Sequence, residues 1–126
     1  MSKRKYAPTH EWVEGKDGIL VVGLSQFAVD QLTDVIYIDL PKVGVSVSAG
    51  QAVAEIESVK AVSDIYAPVE GEITEVNSVL ATDASIVSRD PFGEGWLFKV
   101  KPSSDDPTSH LLTEVDYQAQ IAGQAH

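Results

Sequence analysis

The sequence predicts a mainly β protein, a sandwich or barrel with short helices at its periphery, and three observations carry that expectation. Short β-prone runs recur along the chain: GILVVGL, VIYIDL, QAVAEIE, VKAVSDIYA, GEITEVN and WLFKVK. Pro41, Gly44, Gly50, Pro68, Gly71 and Asn77 punctuate them, a spacing that suits turns between strands and not a βαβ sheet. Helical signals are confined to two segments.

Taken in order, GILVVGLSQFAV from Gly18 is the longest charge-free apolar run, and it is too short to cross a bilayer. Ser25 is placed to N-cap QFAVDQL, with Leu24 and Val29 spaced as a hydrophobic staple. In VIYIDL, period-two alternation puts Ile36, Ile38 and Leu40 on one face of a half-buried strand. Ser103 to Pro107, SSDDP, reads as a loop. A C-terminal helix is expected over about residues 111–123. Thr113 would start TEVDYQAQIA, Glu114 and Asp116 favour its positive end, and Leu111, Leu112, Val115, Ala119 and Ala122 make one apolar stripe. Gln124 to His126 should fray.

IDLPKVG from Ile38 and IYAPVEG from Ile65 share the pattern I-x-x-P-x-x-G, offset by 27 residues. Each Pro can end a strand and each Gly can supply a tight turn. The echo implies two similar β halves packed face to face, with Lys60 between the two copies.

At 126 residues the chain suits one domain, and 44% hydrophobic content is ordinary for a globular core. The formal charge of −10 disfavours nucleic acid and anionic membrane surfaces, both of which are bound through Lys and Arg clusters. It suits a carrier docking on basic rims of larger enzymes. With no cysteine there is neither a disulfide framework nor a thiolate site. MSKRKYAPTH is basic but leads into no apolar signal region, so a cytoplasmic protein is expected, with a mature organellar form left open.

The residue that decides the function is Lys60, within EIESVKAVSDIYAPVEGEI. The stretches on either side of Ser58-Val59-Lys60 are β-prone, so the lysine falls at a hairpin tip, available to a modifying enzyme. Taken alone it is a solvated turn lysine. A Schiff-base role needs a lowered pKa, whereas the acidic neighbours here favour the protonated amine. Other constellations fail: Gly93-Glu94-Gly95 lacks the third glycine of a dinucleotide fingerprint, and His10, His110 and His126 are too scattered for a metal site. Glu55 and Glu57 share a strand face, which an exposed acidic surface explains. His10-Glu11-Trp12 could rim a cleft, and Pro91 to Trp96 forms a turn with two bulky anchors; packing accounts for both.

The segments together resemble the H proteins of the glycine cleavage system. The matching residues are His10-Glu11-Trp12, FAVDQLTDVIYIDLPKVG, ESVKAVSDIYAPVEGEITEVN and DPFGEGWLFKV, covering nearly the whole chain. The resemblance implies a hybrid barrel-sandwich, lipoyl-domain-like, of two β halves with short peripheral helices and a C-terminal helix. It implies that residues 1–126 form a single carrier domain with lipoate in amide linkage on Lys60. Such a carrier moves the aminomethyl group of glycine from a pyridoxal-phosphate glycine decarboxylase to a tetrahydrofolate-dependent aminomethyltransferase, and electrons to dihydrolipoyl dehydrogenase. It catalyses nothing itself. Ser58, Val59 and Ala61 would hold a tight tip, while Glu57 and Asp64 would guide the lipoate-attaching enzyme. The loaded arm is expected to fold against a cleft near His10-Glu11-Trp12, which excludes water. A carrier visiting several enzymes is most simply a monomer.

Two departures stand out: Thr33 occupies a position that is usually Gly in this family, and ATDASIVSRDP is looser than the usual form. The rival carriers are a biotinyl domain, which usually has Met on each side of the lysine where Val59 and Ala61 stand, and a 2-oxo-acid dehydrogenase lipoyl domain, which usually reads Asp-Lys-Ala. A lipoate-relay protein would use the same surface. A small enzyme with Lys60 as nucleophile and an adaptor with a bare lysine are the alternatives outside the carrier class.

Overall fold

A computed structural model describes residues 4–16, 18–32, 34–59, 61–103 and 108–124. Its strands are β1 (Lys5–Tyr6), β2 (Glu11–Lys16), β3 (Ile19–Leu24), β4 (Val35–Asp39), β5 (Ser46–Val47), β6 (Ala52–Ser58), β7 (Val62–Tyr66), β8 (Gly71–Val76) and β9 (Phe98–Pro102). Its helices are α1 (Gln26–Leu32), α2 (Val79–Thr82), α3 (Ile86–Arg89) and α4 (Glu114–Gln124). The strands form a six-stranded sheet in the order β1-β2-β3-β9-β8-β5 and a three-stranded sheet in the order β4-β6-β7. The mainly β expectation is met, and every run singled out in the sequence contributes a strand.

Alternation explains how the sheets share a core. Leu20, Val22 and Leu24 of β3 and Phe98 and Val100 of β9 turn one way, toward Ile38, Ile56 and Ile65 of the three-stranded sheet. Val22, Ile65, Ile73 and Phe98 are fully buried, each contributing about 1.5–3 kcal/mol by burial. On the other side of the larger sheet Tyr6, Trp12 and Tyr117 form a second cluster with Val21, Phe92 and Trp96 packed against it. Ser25 caps α1 as expected: its Oγ accepts the Ala28 N–H at 3.2 Å, and Leu24 and Val29 are both buried in the main core.

Several expectations need correction. In β4 the register shifts between Val35 and Tyr37, so Val35 and Ile38 point inward while Ile36 is 53% exposed. A bulge adds one residue, and strict alternation is lost across it. The strand β2 and the two-residue β1 and β5 were not foreseen, because Glu11, Glu14 and Lys16 break the apolar pattern of EWVEGK and two residues carry no period. The short helices α2 and α3 were missed for the same reason of length.

The terminal helix begins at Glu114, with the Thr113 Oγ accepting the Asp116 N–H at 3.2 Å as its cap. Leu111 and Leu112 therefore precede it, and Leu112 exchanges backbone hydrogen bonds with Tyr6 at 2.8 and 2.7 Å. The expected stripe of Val115, Ala119 and Ala122 faces out; Tyr117 is the buried residue of α4, with Gln120 and Ile121 half-buried beside it. Aromatic stacking on Tyr6, at 4.4 Å between centroids and 5° between planes, sets the rotation of the helix. α4 continues through Gln124 where fraying was expected. Thr33, Ser104 to Pro107 and His126 lie outside the described residues.

The repeated I-x-x-P-x-x-G pattern places Ile38 on β4 and Ile65 on β7, the two strands flanking β6. Both prolines follow strand ends. The glycines differ: Gly44 turns the chain at φ 93°, whereas Gly71 opens β8 and supplies no turn. A Cβ on Gly71 would stand 2.2 Å from the Lys101 carbonyl oxygen, so close strand approach is what glycine serves there.

Candidate functional site

The tip of the β6–β7 hairpin is braced from both sides. The Ser58 N–H donates to the Ala61 carbonyl at 2.8 Å, and the Ser58 Oγ accepts the Ala61 N–H at 3.2 Å. That hydroxyl also lies 3.3 Å from the Ala61 carbonyl, to which it donates. The Val59 N–H donates to the Asp34 carbonyl at 3.1 Å, tying the tip to the entry of β4. Ser58 is buried, while Val59 and Ala61 are exposed. Lys60 itself lies outside the described residues. The sequence suggested small side chains at the tip; it did not reveal that the serine hydroxyl bridges the turn.

Cross-strand register arranges the outer face behind this tip. Tyr37, Glu57 and Val62 form one row and Asp39, Glu55 and Asp64 the next, all of them exposed. Glu57 and Asp64 thus share a face, with Glu55 directly opposite Asp64. Like-charged groups directly opposed across strands disfavour the isolated sheet.

Asp64 also lines a cleft of about 380 Å³, together with His10, Glu11, Phe27, Leu32 and Ile56. Asp64 stands three residues along β7 from Ala61, about 10 Å at the rise of a strand. The cleft is therefore closed by β2, α1 and the β6–β7 hairpin. Glu11 is 1% exposed, accepts the Thr9 hydroxyl and accepts the Tyr66 N–H at 3.1 Å. Burial pushes its carboxyl up to about 7, against the opposing pull of those two hydrogen bonds. The His10 Nδ1 lies 2.7 Å from the Tyr117 hydroxyl, and its ring centroid 5.0 Å from that of Phe27.

Of His10-Glu11-Trp12, two residues reach this cleft and the third does not. Adjacent strand residues point to opposite faces, so Trp12 turns into the second cluster and donates its indole N–H to the Pro91 carbonyl at 3.0 Å. Packing is likewise the role of the Pro91–Trp96 turn. The Asn77 side-chain amide donates to the Glu94 carbonyl at 2.7 Å and the Trp96 carbonyl at 2.8 Å, and the Phe92 ring lies 5.8 Å from Trp12. Thr9, Phe27 and Tyr117 were not anticipated as neighbours of the cleft, since nothing local in the sequence joins them. Among the described residues no group of three or more His, Cys, Asp or Glu side chains could hold a metal ion. No helix among them is long and apolar enough to cross a membrane.

The sequence model of the family described as glycine cleavage H-protein matches residues 4–124. A glycine cleavage system H protein of Thermotoga maritima is 49% identical over 118 residues, covering 94% of this chain and 95% of the relative. One from Thermus thermophilus is 46% identical over 122 residues, covering 97% and 95%. The crystal structure of a glycine cleavage system H protein from Mycobacterium marinum superposes with a TM-score of 0.88 at 39% identity, covering 95% of this chain and 97% of that one.

Proposed function

This chain belongs to the glycine cleavage H-protein family, and from that premise we propose that Lys60 is the lipoyl attachment site through which it serves the glycine cleavage system. The observation that carries the proposal is the brace around the tip, where Ser58, Val59 and Ala61 are hydrogen-bonded on both sides of the lysine. Both neighbours of Lys60 in the sequence, Val59 and Ala61, are exposed. Amide formation on the lysine removes its charge and lengthens its reach.

The tethered dithiolane supplies the disulfide and dithiol chemistry, and the enzymes of the system supply the catalysis. The chain's own residues bind and shelter. Glu11 is placed to accept hydrogen bonds from the ammonium of an aminomethyl cargo, and its carboxyl sits where bulk water is excluded. A cation lowers a neighbouring carboxyl's pKa, so cargo and ionised Glu11 favour each other. Phe27, Leu32 and Ile56 provide apolar walls for the arm. Glu57 and Asp64, on one exposed face behind the tip, guide the lipoate-attaching enzyme by charge.

Residues 1–126 act as one carrier domain, monomeric and without catalysis of its own. Its partners are the glycine decarboxylase, the aminomethyltransferase and dihydrolipoyl dehydrogenase, met in the cytoplasm. Lys60→Arg tests the proposal: the variant should melt with the wild type, stay unmodified in lipoate-replete cells and support no glycine cleavage in the reconstituted system. Activity retained by that variant would overturn it.

A further inference from the structure

We propose that Tyr117 of α4 is a positioning residue for the cleft, holding the His10 ring in place through its hydroxyl; this rests on the cleft assignment above. Ala7 and Glu11 form the last hydrogen-bonded pair between the β1 and β2 segments, and the loop they enclose is three residues long, Pro8-Thr9-His10. The His10 N–H donates to the Ala7 carbonyl at 2.9 Å and the Ala7 N–H to the Glu11 carbonyl at 2.8 Å. Loops of this length place their last residue in the left-handed region, where glycine is the default. His10 holds it at φ 85° and is the one non-glycine residue with positive φ among the described residues. A side chain kept at a glycine position at the expense of backbone energy points to a task for that side chain.

The fixing contacts come from two distant parts of the chain. The Tyr117 hydroxyl lies 2.7 Å from His10 Nδ1 and 2.6 Å from Ser25 Oγ, and Ser25 Oγ accepts the Ala28 N–H. The Ser25 N–H donates to the His10 carbonyl at 2.9 Å. The hydroxyl proton goes to the serine or to the imidazole, according to the histidine tautomer; in either case the phenol oxygen joins the α1 cap, the β1–β2 loop and α4 at one point. Tyr117 is 2% exposed and stacked on Tyr6, whereas Val115 of the same helix is 79% exposed. α4 is therefore pinned by the residue that reaches His10. Glu11, the next residue along, inherits its entry into the cleft from the loop that His10 closes.

Tyr117→Phe keeps the ring, its burial and its stacking, and removes one oxygen. The experiment compares Tyr117→Phe, His10→Gly and the double variant in the full chain. It reads the His10 ring nitrogens by NMR and, in loaded carrier, the rate of spontaneous cargo loss. Tyr117→Phe should move the His10 ring nitrogen resonances and speed cargo loss about five- to tenfold, the scale of one buried hydrogen bond. His10→Gly should speed it at least as much, and adding Tyr117→Phe should then change nothing. Ser25→Gly, tolerated at an N-cap, should move the same resonances from the other side of the phenol. Unmoved resonances in Tyr117→Phe, or independent additive effects in the double variant, would overturn the proposal. Glu11→Gln separates the two ideas. If cargo survives as long in Glu11→Gln and His10→Gly as in wild type, the cleft assignment fails, and the ring resonances still decide whether Tyr117 fixes His10.

Discussion

The Glu11 carboxylate accepts the Tyr66 backbone N–H at 3.1 Å, so a buried acid on β2 of the six-stranded sheet is bonded to the end of β7 in the three-stranded sheet. The bond crosses between the sheets beside the cleft. Its carboxyl titrates near 7 in the folded chain because burial disfavours the charge, against 4.5 when exposed. Below pH 4.5 both states are protonated and there is no penalty. As pH rises to 7 the unfolded chain releases its proton first, so the folded state loses stability, by about 3 kcal/mol once both are ionised. Glu11→Gln lacks this titration. Its melting temperature relative to wild type should climb between pH 4.5 and 7 and then level off; parallel pH profiles would contradict the assignment.

Ser58→Ala removes the hydroxyl that bridges to both backbone groups of Ala61. Urea unfolding should show a loss of about 1 kcal/mol, and the Ala61 amide should exchange faster with solvent. Unchanged exchange at Ala61 would mean that the Ser58 hydroxyl does not hold that amide.

Gly71→Ala places a methyl group against the Lys101 carbonyl, where β8 pairs with β9. The tightest contact is with the Lys101 backbone, with the Val100 side chain also in the way, so relief requires the strands to part. A loss of about 3 kcal/mol in chemical denaturation is expected, with Gly44→Ala costing less because open space surrounds that position despite its positive φ.

Asn77→Ala leaves the Glu94 and Trp96 carbonyls without the amide that now donates to both. A loss of about 2 kcal/mol should be accompanied by a red shift of tryptophan emission, since the turn carrying Trp96 packs beside Trp12. A stability loss with no change in emission would place the defect elsewhere.

The six strand runs were legible because burial on one face writes a period of two into the sequence, and Ser25 was legible as a cap because capping is local. The β4 bulge was not, since one inserted residue is invisible until Tyr37 is paired with Glu57. The orientation of α4 was misjudged for a related reason. Helical spacing favoured Val115, Ala119 and Ala122, while a single stacked pair, Tyr6 and Tyr117, decided the outcome across more than a hundred residues. At the site, the lysine and its flanking acids form a local motif that the sequence displays openly. The meeting of His10, Ser25 and Tyr117 depends on tertiary structure and left no local mark.

The central claim concerns Lys60, and the mass of its tryptic peptide tests it most directly. In carrier isolated from lipoate-replete cells, acylation blocks cleavage at that lysine. A single peptide from Val43 to Arg89 should then appear, heavier by one lipoyl group. Separate peptides ending at Lys60 and beginning at Ala61, from cells with a working lipoate-attaching enzyme, would contradict the account.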